Sequence, residues 1–178
     1  MWILRTSGDR MALLARLALV MVMFPHGAQK AFGWFGGDGF RGTVASMTGD
    51  GLPVIVPIAV MAVEVLGSAA LVLGLLGRVV AAAFAGVMVG AIALVQWPHG
   101  FFMNWLGQKS GEGFEYHLLV LVLTVIVMAR GSGPLSLDRA LARRFEQPLD
   151  LTTETAVGLA APDADPVLPR QRELSTRY

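Results

Sequence analysis

The stretch Val79-Val-Ala-Ala-Ala-Phe-Ala-Gly-Val-Met-Val-Gly-Ala-Ile-Ala-Leu-Val-Gln-Trp97 contains no Asp, Glu, Lys or Arg, and the charge-free run continues to residue 108. A helix crosses the hydrocarbon core of a bilayer with about 20 mostly apolar residues at about 1.5 Å each. This stretch therefore reads as a membrane-spanning helix. Cutting the rest of the chain where Gly, Pro and charge interrupt the apolar runs leaves three more candidates, Met11–Phe32, Pro53–Leu76 and Glu115–Ala129, the last of them short. The expected architecture is all-α, an integral membrane bundle of four transmembrane helices.

Composition agrees. The chain has 178 residues, 54% hydrophobic and 15% charged, with a mean hydropathy of +0.60, too apolar for an ordinary soluble domain. Residues 11–129 hold ten charged side chains and residues 130–178 hold fourteen, so the apolar body ends near Arg130. A net charge of +1 provides no basic field for nucleic acid. The absence of Cys excludes disulfides, cysteine-ligated iron–sulfur clusters, covalent haem attachment and thiol nucleophiles.

The first run, with Arg5 and Arg10 ahead of it and small residues at Ala28 and Ala31, has some features of a signal peptide. It is longer than a signal core of about 7 to 15 residues and carries Arg16, so it reads as a retained helix. Gly86 and Gly90 have small-xxx-small spacing, expected to serve close packing inside the bundle rather than a dimer face. Arg5, Arg10, Arg78, Arg130, Arg139, Arg143 and Arg144 fall on one side of a four-span chain, against Lys30, Arg41 and Lys109 on the other. That bias puts both termini in the cytoplasm and the long loops, 33–52 and 98–114, outside. The expected organisation is a cytoplasmic N-terminus (1–10), the helical domain (11–130), an interfacial amphipathic helix N-capped by Ser136 (131–146), and a flexible cytoplasmic tail (147–178). Along the 131–146 helix Leu137, Leu141 and Phe145 share a face.

Gly37-Asp-Gly39-Phe-Arg-Gly42 matches a dinucleotide-binding pattern by letter, but no buried strand precedes it, so its glycines read as a flexible loop. The ionisable residues within the apolar runs are more informative, because each is costly in hydrocarbon. His26 lies about 22 Å along the first helix with Lys30 one turn further on its face, and Glu64 lies about 16 Å into the second, near the midplane. His99 ends the third helix, and Glu115 and His117 open the fourth. These groups converge on the outer half of the bundle. Each also has a plainer explanation: Glu64 as a neutral acid hydrogen-bonded to a neighbour, Lys30, Lys109 and Glu112 as solvated charges, and Arg16 as an anchor snorkelling to the headgroups. The aromatic loop 97–107 reads either as headgroup anchoring or as a lid carrying Asn104 inward.

Arg16-Leu-Ala-Leu, Pro25-His-Gly-Ala-Gln-Lys-Ala-Phe-Gly-Trp-Phe-Gly-Gly37, Glu64-Val-Leu-Gly with Leu73-Gly-Leu-Leu-Gly-Arg78, Pro98-His-Gly-Phe-Phe-Met-Asn104, Gly113-Phe-Glu-Tyr-His117 and Gly131-Ser-Gly-Pro-Leu-Ser-Leu-Asp138 together resemble the DoxX family of small four-helix bacterial membrane proteins. The resemblance covers about residues 10–143. It implies the bacterial inner membrane, links to quinone chemistry through DoxD-type subunits, and other protein subunits as partners. It also carries a polar set onto Arg16, His26, Gln29, Lys30, Glu64, His99, Asn104, Glu115 and Asp138.

Three functions compete at this stage. In the first, a redox subunit binds a quinone, with Glu64 and His26 as proton carriers and Lys30, His99, Asn104, Glu115 and His117 as head-group contacts. In the second, the chain is a non-catalytic accessory subunit. In the third, two of the histidines hold a metal or haem. No metal ligand set is expected, because His26 lies deeper than His99 and His117. The imidazoles are instead expected to hydrogen-bond to Glu64, Glu115, Asn104 or a bound head group.

Overall fold

The computed structural model describes residues 2–146. The expected tail, 147–178, lies outside the described residues. Among those described, the chain is helical with no strand. Four long helices form the bundle: α1 (Arg10–Phe32), α3 (Ile55–Leu73), α4 (Gly77–Ala91) and α5 (Glu115–Arg130), with α2 (Gly39–Gly49) and α6 (Leu137–Glu146) as shorter additions. Beyond Ala91, α4 continues as a π-helical stretch, Ile92–Gln96, and a 3₁₀ turn, Trp97–His99. Three helices, Arg10–Phe32, Ile55–Leu73 and Gly77–His99, are long and apolar enough to cross a membrane. At 16 residues α5 is shorter, about 24 Å at the α-helical rise. It runs beside α1 and α4 between the same two ends.

Each long helix buries one stripe. Ala12, Ala15, Leu19 and Met23 of α1 and Met61, Glu64, Ser68 and Leu71 of α3 recur every three or four residues. Ala15, Leu19, Met23 and Leu71 meet Ala81, Phe84 and Met88 of α4 and Val120 and Val127 of α5 in one core, in which Phe84 is fully buried. The opposite faces remain apolar, with Met21, Leu66, Val89, Leu119 and Val125 each more than half exposed. Exposed apolar surface around the whole girth is what a bilayer covers.

α1 starts where the Asp9 carboxylate accepts a hydrogen bond from Met11 N at 2.9 Å, passes through Pro25 without ending, and stops at Gly33. The 33–52 segment is not the open loop its glycines suggest, because residues 39–49 form α2. The Thr43 hydroxyl of α2 donates to the carbonyl of Lys30 at 3.1 Å, which holds the helix against the end of α1. Phe40, Val44 and Met47 carry the helical spacing that marks it.

At the end where α1 begins, Arg16 is buried and donates from Nη1 to the carbonyl of Ser132 (2.8 Å) and from Nη2 to that of Leu135 (2.7 Å). The expectation of a snorkelling anchor is therefore corrected: the chain after α5 folds back beneath Arg16 and gives its two terminal nitrogens carbonyl partners. The glycine at 74 has φ +66° and no side chain, leaving room for the Arg16 guanidinium. Beside it, buried Asp138 accepts Leu76 N (2.7 Å), Gly77 N (3.0 Å) and the Ser132 hydroxyl (2.6 Å), so α6 caps the N-terminus of α4. Ser136 caps α6 as expected, its Oγ accepting Arg139 N at 3.3 Å.

Candidate functional site

The site is built at the other end, where α1 and α3 cross. The two residues there are Gly27 and Glu64, and Lys30, one turn beyond Gly27, projects over the same face. Lys30 Nζ donates to Glu64 Oε1 at 2.8 Å and Oε2 at 2.9 Å. The Glu64 side chain is 2% exposed and that of Lys30 is 30% exposed. This ion pair corrects the expected partnership of Glu64 with His26. Both candidate partners share a face of α1, and the longer Lys30 side chain makes the bridge.

The pair sits on the wall of a cavity of about 780 Å³. α3 and α4 pack closely near Gly67 and Phe84, then part towards the loop end. In the opening, Val56, Ala59, Val60 and Val63 of α3 face Ala83, Gly86, Val87 and Gly90 of α4. The expectation that Gly86 and Gly90 pack a helix–helix contact is overturned. Nothing lies within 4 Å of where a side chain would begin at either. Their smallness widens the cavity.

Four of the expected residues line it together: His26, Lys30, Glu64 and His117. The His26 ring lies 6.0 Å from that of Tyr116, which in turn lies 5.8 Å from His117. His117 Nδ1 is buried with no hydrogen-bond partner. A buried polar atom without a partner is costly, and a ligand group or a water in the cavity would remove the cost. The expected hydrogen bonds from the imidazoles to Glu64, Glu115 and Asn104 are not formed, because each of those groups is engaged elsewhere.

The other expected residues build the loop. Glu115 Oε1 accepts Met103 N (3.1 Å) and Trp105 Nε1 (3.2 Å). The Asn104 amide is tied to the Lys109 backbone in both directions, at 2.9 and 3.0 Å, so it does not point inward. His99 lies against Gly111. His99, Asn104 and Glu115 thus lie outside the cavity lining, while Met103 and Glu112 of the same loop reach it. The loop does fold over this end, held by the bonds of Phe114 N to the Gly100 carbonyl and Glu115 N to that of Phe101. No group of three or more His, Asp or Glu side chains able to hold a metal ion occurs among the described residues.

Sequence reasoning missed Tyr116, Asp50 and Gln96 as lining residues. Tyr116 stands next to His117 at the opening of α5, and that adjacency is the signal that could have placed it at the cavity. Asp50 is brought in by α2, which sequence reasoning did not place.

The sequence profile of the DoxX family matches residues 11–97, from α1 to the end of α4. A Bacillus subtilis (strain 168) protein described as "Putative oxidoreductase CatD" is 29% identical over 126 residues, covering 71% of this chain and 83% of that protein. No solved structure matches the chain.

Proposed function

From the match of residues 11–97 to the DoxX family profile, we propose that the chain is a DoxX-type protein and a quinone-interacting subunit of a membrane oxidoreductase system, seated in the bacterial inner membrane with four spans and both termini in the cytoplasm. One observation carries this reading: a Lys30–Glu64 pair, its carboxylate buried, on the wall of an apolar, roomy cavity between two membrane helices. A volume of about 780 Å³ suits a drug-sized ligand. The lining is mostly aliphatic, with His26, Lys30, Glu64, Tyr116 and His117 among its polar groups. An apolar ring with two oxygens fits that distribution, and the partnerless His117 Nδ1 is a contact held in reserve for one of them.

A bound quinone would supply the electron exchange for which this chain, lacking cysteine, has no thiol of its own. The chain's own part is positional and protic. Lys30 and Glu64 present charge-assisted hydrogen-bonding groups where water is scarce. His26 and His117 present imidazoles that can donate or accept a hydrogen bond with a head group in the cavity. Asp50 and Glu112, both exposed, mark the water-facing rim of the cavity. The gap between α3 and α4 admits a membrane-soluble molecule from the side. Electrons must come from a partner, and exposed Trp105 (82%) and Leu106 (79%) on the covering loop offer a contact for another subunit. The name of the Bacillus relative accords with a redox role.

The test is the quinone content of protein purified in mild detergent. Wild-type protein should carry quinone in near-stoichiometric amount, and Glu64→Gln should reduce it at least tenfold while keeping the assembled bundle. Equal, trace quinone in both would remove the proposal and leave a non-catalytic accessory subunit.

A further inference from the structure

At the arginine-rich end, a second cleft of about 300 Å³ opens between the N-terminal segment and α6, lined by Arg5, Thr6, Arg139, Ala142 and Arg143. We propose that it binds the phosphate of an anionic phospholipid. It stands apart from the quinone reading, because no residue is shared between the two cavities.

The arginines at this end divide into two groups. Arg16 is used up on the Ser132 and Leu135 carbonyls, and Arg130 on Asp9 at 2.6 Å. Arg78 donates to the carbonyls of Arg5, Met128 and Ala129 and lies 4.7 Å over the Trp2 ring. These three hold the bundle end together. Arg139 and Arg143 make no ion pair or side-chain hydrogen bond with the described residues, although both face the same cleft one helical turn apart. Like charges at that spacing repel, and an anion between them reverses the sign of the interaction. Thr6 closes the cleft floor through its bonds with Gly133.

The surroundings select a lipid. Leu137, Leu141 and Phe145 are exposed along α6, and Trp2 and Ile3 are exposed on the neighbouring N-terminal turn. Apolar side chains beside uncommitted arginines, at the end of a membrane bundle, describe a surface lying at headgroup depth with its cations directed at phosphate. α6 is fixed in this position by its buried Asp138, so the cleft is preformed.

Native mass spectrometry of the delipidated full chain, titrated with phosphatidylglycerol or phosphatidylcholine, tests this. Phosphatidylglycerol should bind preferentially, and Arg139→Gln/Arg143→Gln should weaken it about 30-fold, the loss of two lipid-facing charges. Arg144→Gln, outside the cleft, should leave the affinity unchanged. Arg139→Lys/Arg143→Lys, which keeps the charge but not the fork of donors, should fall between, and it serves if the glutamine variant does not assemble. Equal binding of the two lipids, or equal weakening by Arg144→Gln, would overturn the proposal. So would displacement of the lipid by millimolar inorganic phosphate, which would make this a site for a soluble anion.

Discussion

A methyl group placed on Gly27 would lie 2.8 Å from Cβ of Glu64 and 3.0 Å from its carbonyl carbon, so α1 and α3 touch backbone to backbone beside the ion pair. Small residues permit such an approach in lipid, where no hydrophobic force draws helices together. Both atoms lie close to the backbone of α3 and cannot swing aside. Gly27→Ala is therefore expected to destabilise the bundle by about 1–3 kcal/mol, the usual cost of overpacking. Thermal unfolding in detergent reads this, and an unchanged midpoint would show that the helices can part freely.

The two halves of the ion pair should not be equivalent. Lys30→Met leaves a buried carboxylate without its cation, whereas Glu64→Gln leaves an ammonium that still reaches solvent. The lysine variant should lose more stability, by about 1–2 kcal/mol, and the double variant should recover part of that loss. A double-mutant cycle by thermal or denaturant unfolding checks the order, and additive effects would show no coupling.

Filling the cavity separates binding from folding. Gly86→Phe enters open space rather than the core, so the unfolding midpoint should move by less than about 1 kcal/mol equivalent. Quinone retention should fall severalfold. Loss of stability together with unchanged retention would contradict the cavity's role.

At the opposite end, Asp138→Ala removes the acceptor for two backbone N–H groups and a hydroxyl, all lying where α6 meets the start of α4. A cost of about 2–4 kcal/mol is expected, at about 1–3 kcal/mol for each buried donor left unsatisfied and partial relief by water. Quinone affinity should stay within twofold in whatever fraction remains folded, since the cavity is distant from this end.

Orientation is open to a direct experiment, because the chain has no native cysteine. Arg41→Cys should react with an impermeant maleimide from outside intact cells, and Arg144→Cys only after permeabilisation. The reverse labelling would invert the proposed topology and leave the helix packing unaffected.

The long helices were readable because a bilayer demands length and continuous apolarity, and Val79–Trp97 satisfies both demands without context. α2 was not, since Gly39, Gly42 and Gly49 with Thr43 and Thr48 make a poor helix by local preference. What stabilises it includes the bond from Thr43 to the end of α1, a tertiary fact. Arg16 was misread for a similar reason: its carbonyl partners lie 116 and 119 residues away. In the site, helical register put His26 and Lys30 on one face of α1 and Glu64 near the midplane, and the structure brings all three onto one cavity. Which cation reached the carboxylate depended on side-chain length and on the close crossing at Gly27. Asn104 and Glu115 misled because polar residues in a short loop often serve the loop's own turns, and no spacing rule distinguishes that from facing a cavity.

The π-helical turn at Ile92–Gln96 sets the direction in which the chain leaves α4. Such a turn holds one residue more than the α-helix would, and residues 94–96 of it border the cavity. A residue inserted or deleted in the regular part of α4 would rotate everything after it by about 100°. Trp97 would then no longer stack on Phe114, now 5.6 Å away and nearly parallel, and the aromatic cover would be carried off the cavity mouth. The wide turn is the place in this helix where one residue can be lost, by reversion to an α turn, with that cover left in place.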